Sequence, residues 1–116
     1  MAAAKRNNRR STRHTVAAVI YQGMAPFELS VPCEVFGLDR SDIVEPWYEF
    51  LLVAAGRRRL RTQTGFVIEA PHGLEQLARA DTIVVPGWSD PEHEPSESLK
   101  ESLRAAHARG ARLVSL

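Results

Sequence analysis

From Thr15 to Leu116, short apolar runs alternate with segments whose apolar residues recur at helical intervals. Thr15-Val-Ala-Ala-Val-Ile-Tyr21 is almost uninterrupted and rich in β-branched residues, the composition of a strand covered on both faces. Tyr48–Ala55, Asp81–Val85 and Ala111–Leu116 repeat that pattern and predict further strands. After the first run, Gln22-Gly23 breaks the chain. Phe27, Val31, Val35 and Leu38 then follow at spacings of four, four and three, which predicts a helix with an apolar stripe within Pro26–Leu38. Pro32 has no amide to donate, so this helix either kinks there or begins near Ser30, with Ser30 as cap and Pro32 in the first turn. Gly37 and Asp39 mark its end.

The middle of the chain is less regular. Thr62–Ala70, interrupted at Gly65, predicts two short extended pieces of hairpin or edge character, and Leu74–Arg79 predicts a short helix. A polar loop from Gly87 to Pro95 precedes a well-signalled helix: Ser96 is its cap, Leu99, Leu103 and Ala106 its apolar stripe, and Gly110 its carboxy-terminal left-handed residue. Strands alternating with helices predict an α/β fold, a doubly wound and mostly parallel sheet with flanking helices and right-handed crossovers. In such folds ligands gather outside the carboxyl ends of the strands, which directs attention to the turns after Tyr21, Val85 and Leu116.

Composition places the chain among ordinary globular proteins, since 116 residues with 44% hydrophobic and 25% charged make one small domain. The apolar runs are all well short of the ~20 residues of a membrane-spanning helix. The basic amino terminus is not followed by an apolar core and cleavage site of secretory type, so a cytoplasmic location is the expectation. Cys33 is the only cysteine and forms no internal disulfide. Net charge is +1, yet Lys5, Arg6, Arg9, Arg10 and Arg13 crowd the first thirteen residues without an acid. Residues 1–14 therefore read as a basic tail, either disordered and solvated or in contact with phosphates, ahead of a domain over 15–116. A second basic run, Arg57-Arg58-Arg59-Leu60-Arg61, is either a solvated loop that discourages edge pairing or an anion-binding segment.

Few residues carry candidate chemistry. Glu28 follows the carboxyl-end turn of the first strand at or just before a helix start, where it either caps the helix or orients a nucleophile or ligand. Pro86-Gly87 either turns the chain or lets a backbone amide approach a ligand oxygen, because glycine has no Cβ to obstruct it. Cys33 lies five residues after Glu28, a rotation of about 140° on a helix, and has no base nearby, so it reads as a structural thiol. Asp90-Pro-Glu-His-Glu94 has metal-binding residue types without the paired spacing of a zinc site and reads as an exposed acidic loop; no metal is expected. His14, His72 and His107 show no partner pattern.

Three segments resemble one family in order. Pro26-Phe-Glu-Leu-Ser-Val-Pro-Cys-Glu-Val-Phe-Gly37, Asp81-Thr-Ile-Val-Val-Pro-Gly-Trp88 and Gly110-Ala-Arg-Leu-Val-Ser-Leu116 are similar to landmarks of the ThiJ/PfpI superfamily, a flavodoxin-like, glutamine amidotransferase-like α/β fold. The resemblance is strongest to the branch found in GlxA-like AraC-type transcriptional regulators. It implies that Glu28 is the acidic residue facing the nucleophile-elbow side chain and that Gly87 belongs to the oxyanion loop. Trp88 then stands where hydrolytic members often carry another glycine. The family's elbow cysteine would fall immediately past Leu116, so the resemblance covers an amino-terminal part of the domain. Two functions follow from it. One is a non-catalytic sensor that binds a small-molecule effector at Glu28, Gly87 and Trp88, forms a homodimer, needs no cofactor and reaches DNA only through a carboxy-terminal helix-turn-helix part. The other is part of a PfpI-like cysteine-dependent hydrolase or hydratase, and a non-functional gene fragment is a third possibility. A last strand without a following helix also leads us to expect self-association of the 116-residue chain.

Overall fold

The computed structural model describes residues 13–88 and 90–116. Of the basic tail it includes only Arg13 and His14; Lys5, Arg6, Arg9 and Arg10 lie outside the described residues. In chain order the elements are β1 (Thr15–Ile20), α1 (Pro26–Pro32), β2 (Glu49–Ala54), β3 (Arg59–Arg61), β4 (Val67–Glu69), β5 (Thr82–Val85), α2 (Glu97–Ala108) and β6 (Arg112–Ser115). A π-helical turn at Cys33–Gly37 continues α1, and a 3₁₀ helix at Leu74–Arg79 precedes β5.

The main sheet is four-stranded and wholly parallel, in the order β2-β1-β5-β6. All six residues of β1 are buried, because the strand is flanked by β2 and β5 and covered on both faces. Its side chains alternate between two cores. Ala17 and Val19 join Leu51, Val53, Leu77, Ile83, Leu99 and Ala106 on the side covered by α2 and the 3₁₀ helix. Ala18 and Ile20 join Met24, Leu29, Ala54 and Leu60 on the side covered by α1 and the antiparallel β3–β4 hairpin. The fold is thus the expected α/β layering with cover on both sheet faces.

Local signals explain most element boundaries. Ser96 caps α2, its hydroxyl accepting a bond from the Leu99 amide at 3.2 Å, and Gly110 ends the segment at φ +101°. Leu99 and Ala106 are buried, with Leu103 packed beside them. The Arg109 guanidinium fastens the far end of α2 by donating to the carbonyls of Leu77 (2.8 Å) and Ala80 (3.0 Å). On the same side, Arg79 grips both carboxylate oxygens of Glu49 at 2.7 and 2.8 Å, and the Thr15 hydroxyl adds a third bond. The Arg79 hydrogen bonds hold Glu49 below its ordinary range against the opposing effect of partial desolvation.

The first helix departs from expectation in two ways. It begins at Pro26 with Ala25 in the cap position, and Ser30 is not the cap: its hydroxyl donates to the Phe27 carbonyl at 2.6 Å inside the helix. Pro32 falls at the end of regular helix, where its missing amide coincides with widening into the π turn. The stripe Phe27, Val31, Val35, Leu38 also faces outward, with exposures of 75%, 40%, 51% and 46%. Leu29 and Pro32 are buried in its place, with half-buried Cys33 beside them. Two apolar stripes compete on this short segment. The tight turn at Gly23 (φ +81°) and the fully buried Met24 orient the helix so that the Leu29 side meets the sheet.

β6 borders β5 on one side only, and Leu113 and Leu116 are 41% and 49% exposed. No described helix is long and apolar enough to cross a membrane.

Candidate ligand-binding site

Because β1 and β5 are neighbours, their carboxyl-end turns meet: Tyr21-Gln22-Gly23 beside Pro86-Gly87-Trp88. The first turn of α1 brings Glu28 into the same place. A Cβ on Gly87 would lie 3.5 Å from both Cγ and Cδ of Glu28 and 3.6 Å from Oε1, so the half-buried glutamate packs against the bare face of this glycine. Gly87 adopts φ +67°, a left-handed conformation that other residues enter with strain. The fold thus apposes Glu28 and Gly87, which 58 intervening residues separate in the chain.

Hydrogen bonds hold the turn. The Tyr21 hydroxyl donates to the Gly87 carbonyl at 2.9 Å, tying the end of β1 to the turn after β5. The Gly87 amide donates to the Leu116 carbonyl at 3.1 Å and so extends the β5–β6 ladder by one step. That amide is therefore engaged with the chain itself, and what Gly87 offers Glu28 is space.

Trp88 packs with Tyr21 and His93. Its ring lies 4.4 Å from that of Tyr21 at a 36° tilt, and its indole N–H donates to the His93 carbonyl at 2.8 Å. Together Tyr21 and Trp88 line a cleft of about 870 Å³ between the carboxyl ends of β1 and β2, the β3–β4 hairpin and the loop before α2. Leu60 and Leu99 add apolar lining, and Arg57, Arg59 and Arg61 stand along one side. Glu28 does not line this cleft, so the turn at Gly87-Trp88 has Glu28 against its glycine and the cleft against its tryptophan. Apolar periodicity alone does not single out Tyr21 as a lining residue. Its position as the only aromatic residue ending the first apolar run was the available signal.

Cys33 is not brought to Glu28's partner surface. Its thiol packs beside the core formed by Ile20, Met24 and Leu29, and burial pushes it up from the ordinary cysteine value, with the Glu34 charge adding to the effect. A thiol so disposed is a poor nucleophile at neutral pH. In the acidic loop, the His93 ring stacks over Trp88 at 6.3 Å and Asp90 accepts the Glu92 amide at 3.0 Å. Among the described residues no group of three His, Cys, Asp or Glu side chains is placed to hold a metal ion.

Comparison with known proteins places this geometry in a structural class. A protein from Vibrio parahaemolyticus designated a transcriptional regulator superposes with a TM-score of 0.76 at 14% identity, over 90% of this chain and 56% of that one. An AraC family transcriptional regulator from Pseudomonas putida superposes with a TM-score of 0.69 at 19% identity, over 88% of this chain and 63% of that one. A DJ-1 superfamily protein from Salmonella typhimurium, solved as a cysteine-to-alanine mutant, gives 0.68 at 17% identity, over 88% of this chain and 54% of that one. The chain accordingly has the fold of a DJ-1/ThiJ/PfpI-like domain, as its three sequence landmarks imply. It spans between 54% and 63% of the length of these three relatives in structure. No family model matches the sequence, and no curated protein matches it significantly.

Proposed function

We propose that this chain is a ligand-sensing, non-catalytic part of an AraC-type transcriptional regulator, acting in the cytoplasm on a small-molecule effector. The observation that carries this reading is the turn Gly87-Trp88. A sensor needs a built pocket wall at the carboxyl ends of the strands, and here a large aromatic, held by Tyr21 and by its own bond to the His93 carbonyl, forms that wall one residue after the glycine on which Glu28 packs. A hydrolase of this fold would need an open approach to the glutamate and an activated nucleophile. Trp88 stands where resembling hydrolases often carry a glycine, and the half-buried Cys33, its thiol pushed up, is not an activated one. The regulators that share the fold support the same reading.

Two partners belong to it. The outward stripe of Phe27, Val31, Val35 and Leu38 suits a second copy of the chain, because a two-fold axis lays the stripe against itself and removes apolar surface from water on both sides. DNA would be read by helix-turn-helix units. No two consecutive helices joined by a short turn occur among the described residues, so this domain would supply the effector response and not the DNA contact.

The test is a thermal-shift screen of neutral, cationic and anionic metabolites on the chain and on Glu28→Ala, with hydrolase and hydratase turnover followed in parallel. A sensor is stabilised by a metabolite, loses that response in Glu28→Ala, and turns nothing over in either form. Turnover that disappears in Glu28→Ala would establish the enzyme instead.

A further inference from the structure

The basic run at Arg57–Arg61 is sorted by the strand it enters. Along β3 alternate side chains share a face, so Leu60 is buried at 4% exposure while Arg59 and Arg61 are turned the other way. Arg57, Arg59 and Arg61 all line the 870 Å³ cleft. Arg58 does not; it donates to the Pro71 carbonyl at 2.8 Å and pairs with Glu75 at 3.7 Å. Arg58 thus holds the segment in place, while Arg57, Arg59 and Arg61 line the cleft.

Those three are poorly neutralised. Arg59 pairs with Glu69 at 3.8 Å with both side chains about 70% exposed, 71% and 69%, an arrangement that contributes little in water. Arg61 donates to the Gly65 carbonyl at 2.7 Å, which satisfies a donor without cancelling a charge. Arg57 makes no ion pair or hydrogen bond among the described residues. Asp90 is the one acid among the described lining residues, so the three arginines outnumber it on the cleft wall. Edge protection does not account for the cluster either. The outer side of β3 is tied down at Arg61, whose amide donates to the Gln22 side chain at 3.1 Å and whose carbonyl accepts from Gly23 at 2.8 Å.

Resting on the sensing reading above and naming its effector's chemistry, we infer that this cleft binds a small organic anion: a phosphate or carboxylate held by Arg57, Arg59 and Arg61, with a flat apolar body against Tyr21 and Trp88. The volume is that of a small-molecule site, and guanidinium groups pair two-pronged with both kinds of anionic head. Tyr21 and Trp88, with the His93 ring stacked on the indole, supply the aromatic part of the lining. Like charges on a concave wall repel one another until an anion arrives, so occupancy relieves an unfavourable arrangement. The cleft is concave, and a duplex backbone presents its phosphates on a convex rod, which favours a small molecule over nucleic acid. Binding would be felt at Glu28, because Trp88 is joined directly to the glycine on which Glu28 packs.

Calorimetric titration of the full chain with phenyl phosphate tests this, alongside benzamidine, which has a similar ring with a cationic head, and a short DNA duplex. Saturable binding of phenyl phosphate is expected, weakened about tenfold or more in the exposed double variant Arg57→Gln/Arg59→Gln as charge-assisted bonds are lost, and weakened again by salt. An unchanged thermal melt confirms that the variant is folded. Absence of saturable phenyl phosphate binding, equal affinity in the double variant, equal binding of benzamidine, or binding of the duplex alone would each overturn the assignment. Its failure is separable from that of the sensing reading. A neutral or cationic metabolite that stabilises the chain through Glu28, with phenyl phosphate silent, keeps the sensor and removes the anion. Phenyl phosphate bound at the arginines of a chain that shows Glu28-dependent turnover keeps the anion and removes the sensor.

Discussion

In α2 the apolar residues Leu99 and Ala106 are buried against the sheet, whereas along α1 and the π turn that continues it Phe27, Val31, Val35 and the following Leu38 stand in water and Leu29 and Pro32 are buried. The two helices cover opposite faces of the same sheet, yet only one of them obeys its most regular hydrophobic pattern. α2 has twelve residues, a serine cap and one apolar stripe, so periodicity alone determines which side turns inward. α1 has seven residues, an uncapped start and two candidate stripes, so the turn that delivers it decides. A regular apolar stripe is thus left outside the core, and it begins on the helix that carries Glu28.

Stability measurements offer the sharpest way to break this contrast. Leu99→Ala removes a fully packed side chain from α2 and is expected to cost about 2–5 kcal/mol in denaturant unfolding, while Val31→Ala on the outer face of α1 changes stability by less than about 0.5 kcal/mol. Equal losses would mean that the α1 stripe belongs to the core after all. Sedimentation velocity addresses the stripe directly: the paired change Phe27→Asp/Val31→Asp should weaken self-association about tenfold or more, the loss expected when a charge is forced into an apolar contact. Association that persists unchanged would assign it to another surface, the exposed β6 edge being the first to examine.

Smaller effects refine the picture at each helix. Ser96→Ala removes the α2 cap and should cost about 1 kcal/mol, whereas Ser30→Ala, which caps nothing, should cost less than half of that about-1 kcal/mol figure. Cys33 marks the inward side of α1, and its raised thiol should react with iodoacetamide at neutral pH more slowly than a solvated cysteine; a faster reaction would place it outside the core. The acid limb of the stability profile should respond to Glu49 on the α2 side of the sheet. Its carboxyl is lowered in the folded chain by Arg79, so its contribution is present above the ordinary glutamate range and lost as pH falls through the lowered folded value. Glu49→Gln should flatten that limb by well under about 1 kcal/mol, since both partners are partly solvated.

The same contrast explains what could be read in the residues before the fold was known. Uninterrupted apolar strands, the Ser96 cap and the Gly110 stop are local signals, and the doubly wound parallel sheet follows from their alternation. The start and orientation of α1 are not local; they depend on how Gly23 turns and on Met24 finding the core. Glu28 and Gly87 each stood out by position after a strand, but their contact arises from β1 and β5 being neighbours, a tertiary fact. The arginine run is legible as charge and illegible as a site, because Arg58 is set apart from Arg57, Arg59 and Arg61 by its bond to the Pro71 carbonyl and its pairing with Glu75, which are tertiary contacts.

Strand β1 is paired with β2 along all six of its residues and with β5 at Val16–Ala18, while β6 leans on one neighbour. In deuterium uptake the β1 amides should therefore open only with the whole domain and report its global unfolding free energy, while those of β6 exchange through local fraying at much lower cost. Gly87 joins these two regimes, since its carbonyl accepts from Tyr21 at the end of β1 and its amide donates to Leu116 just past β6. An occupant of the neighbouring cleft that steadies this glycine would slow exchange at the fraying edge by more than it slows the centre, and so leave a signature of local order distinct from a general rise in stability.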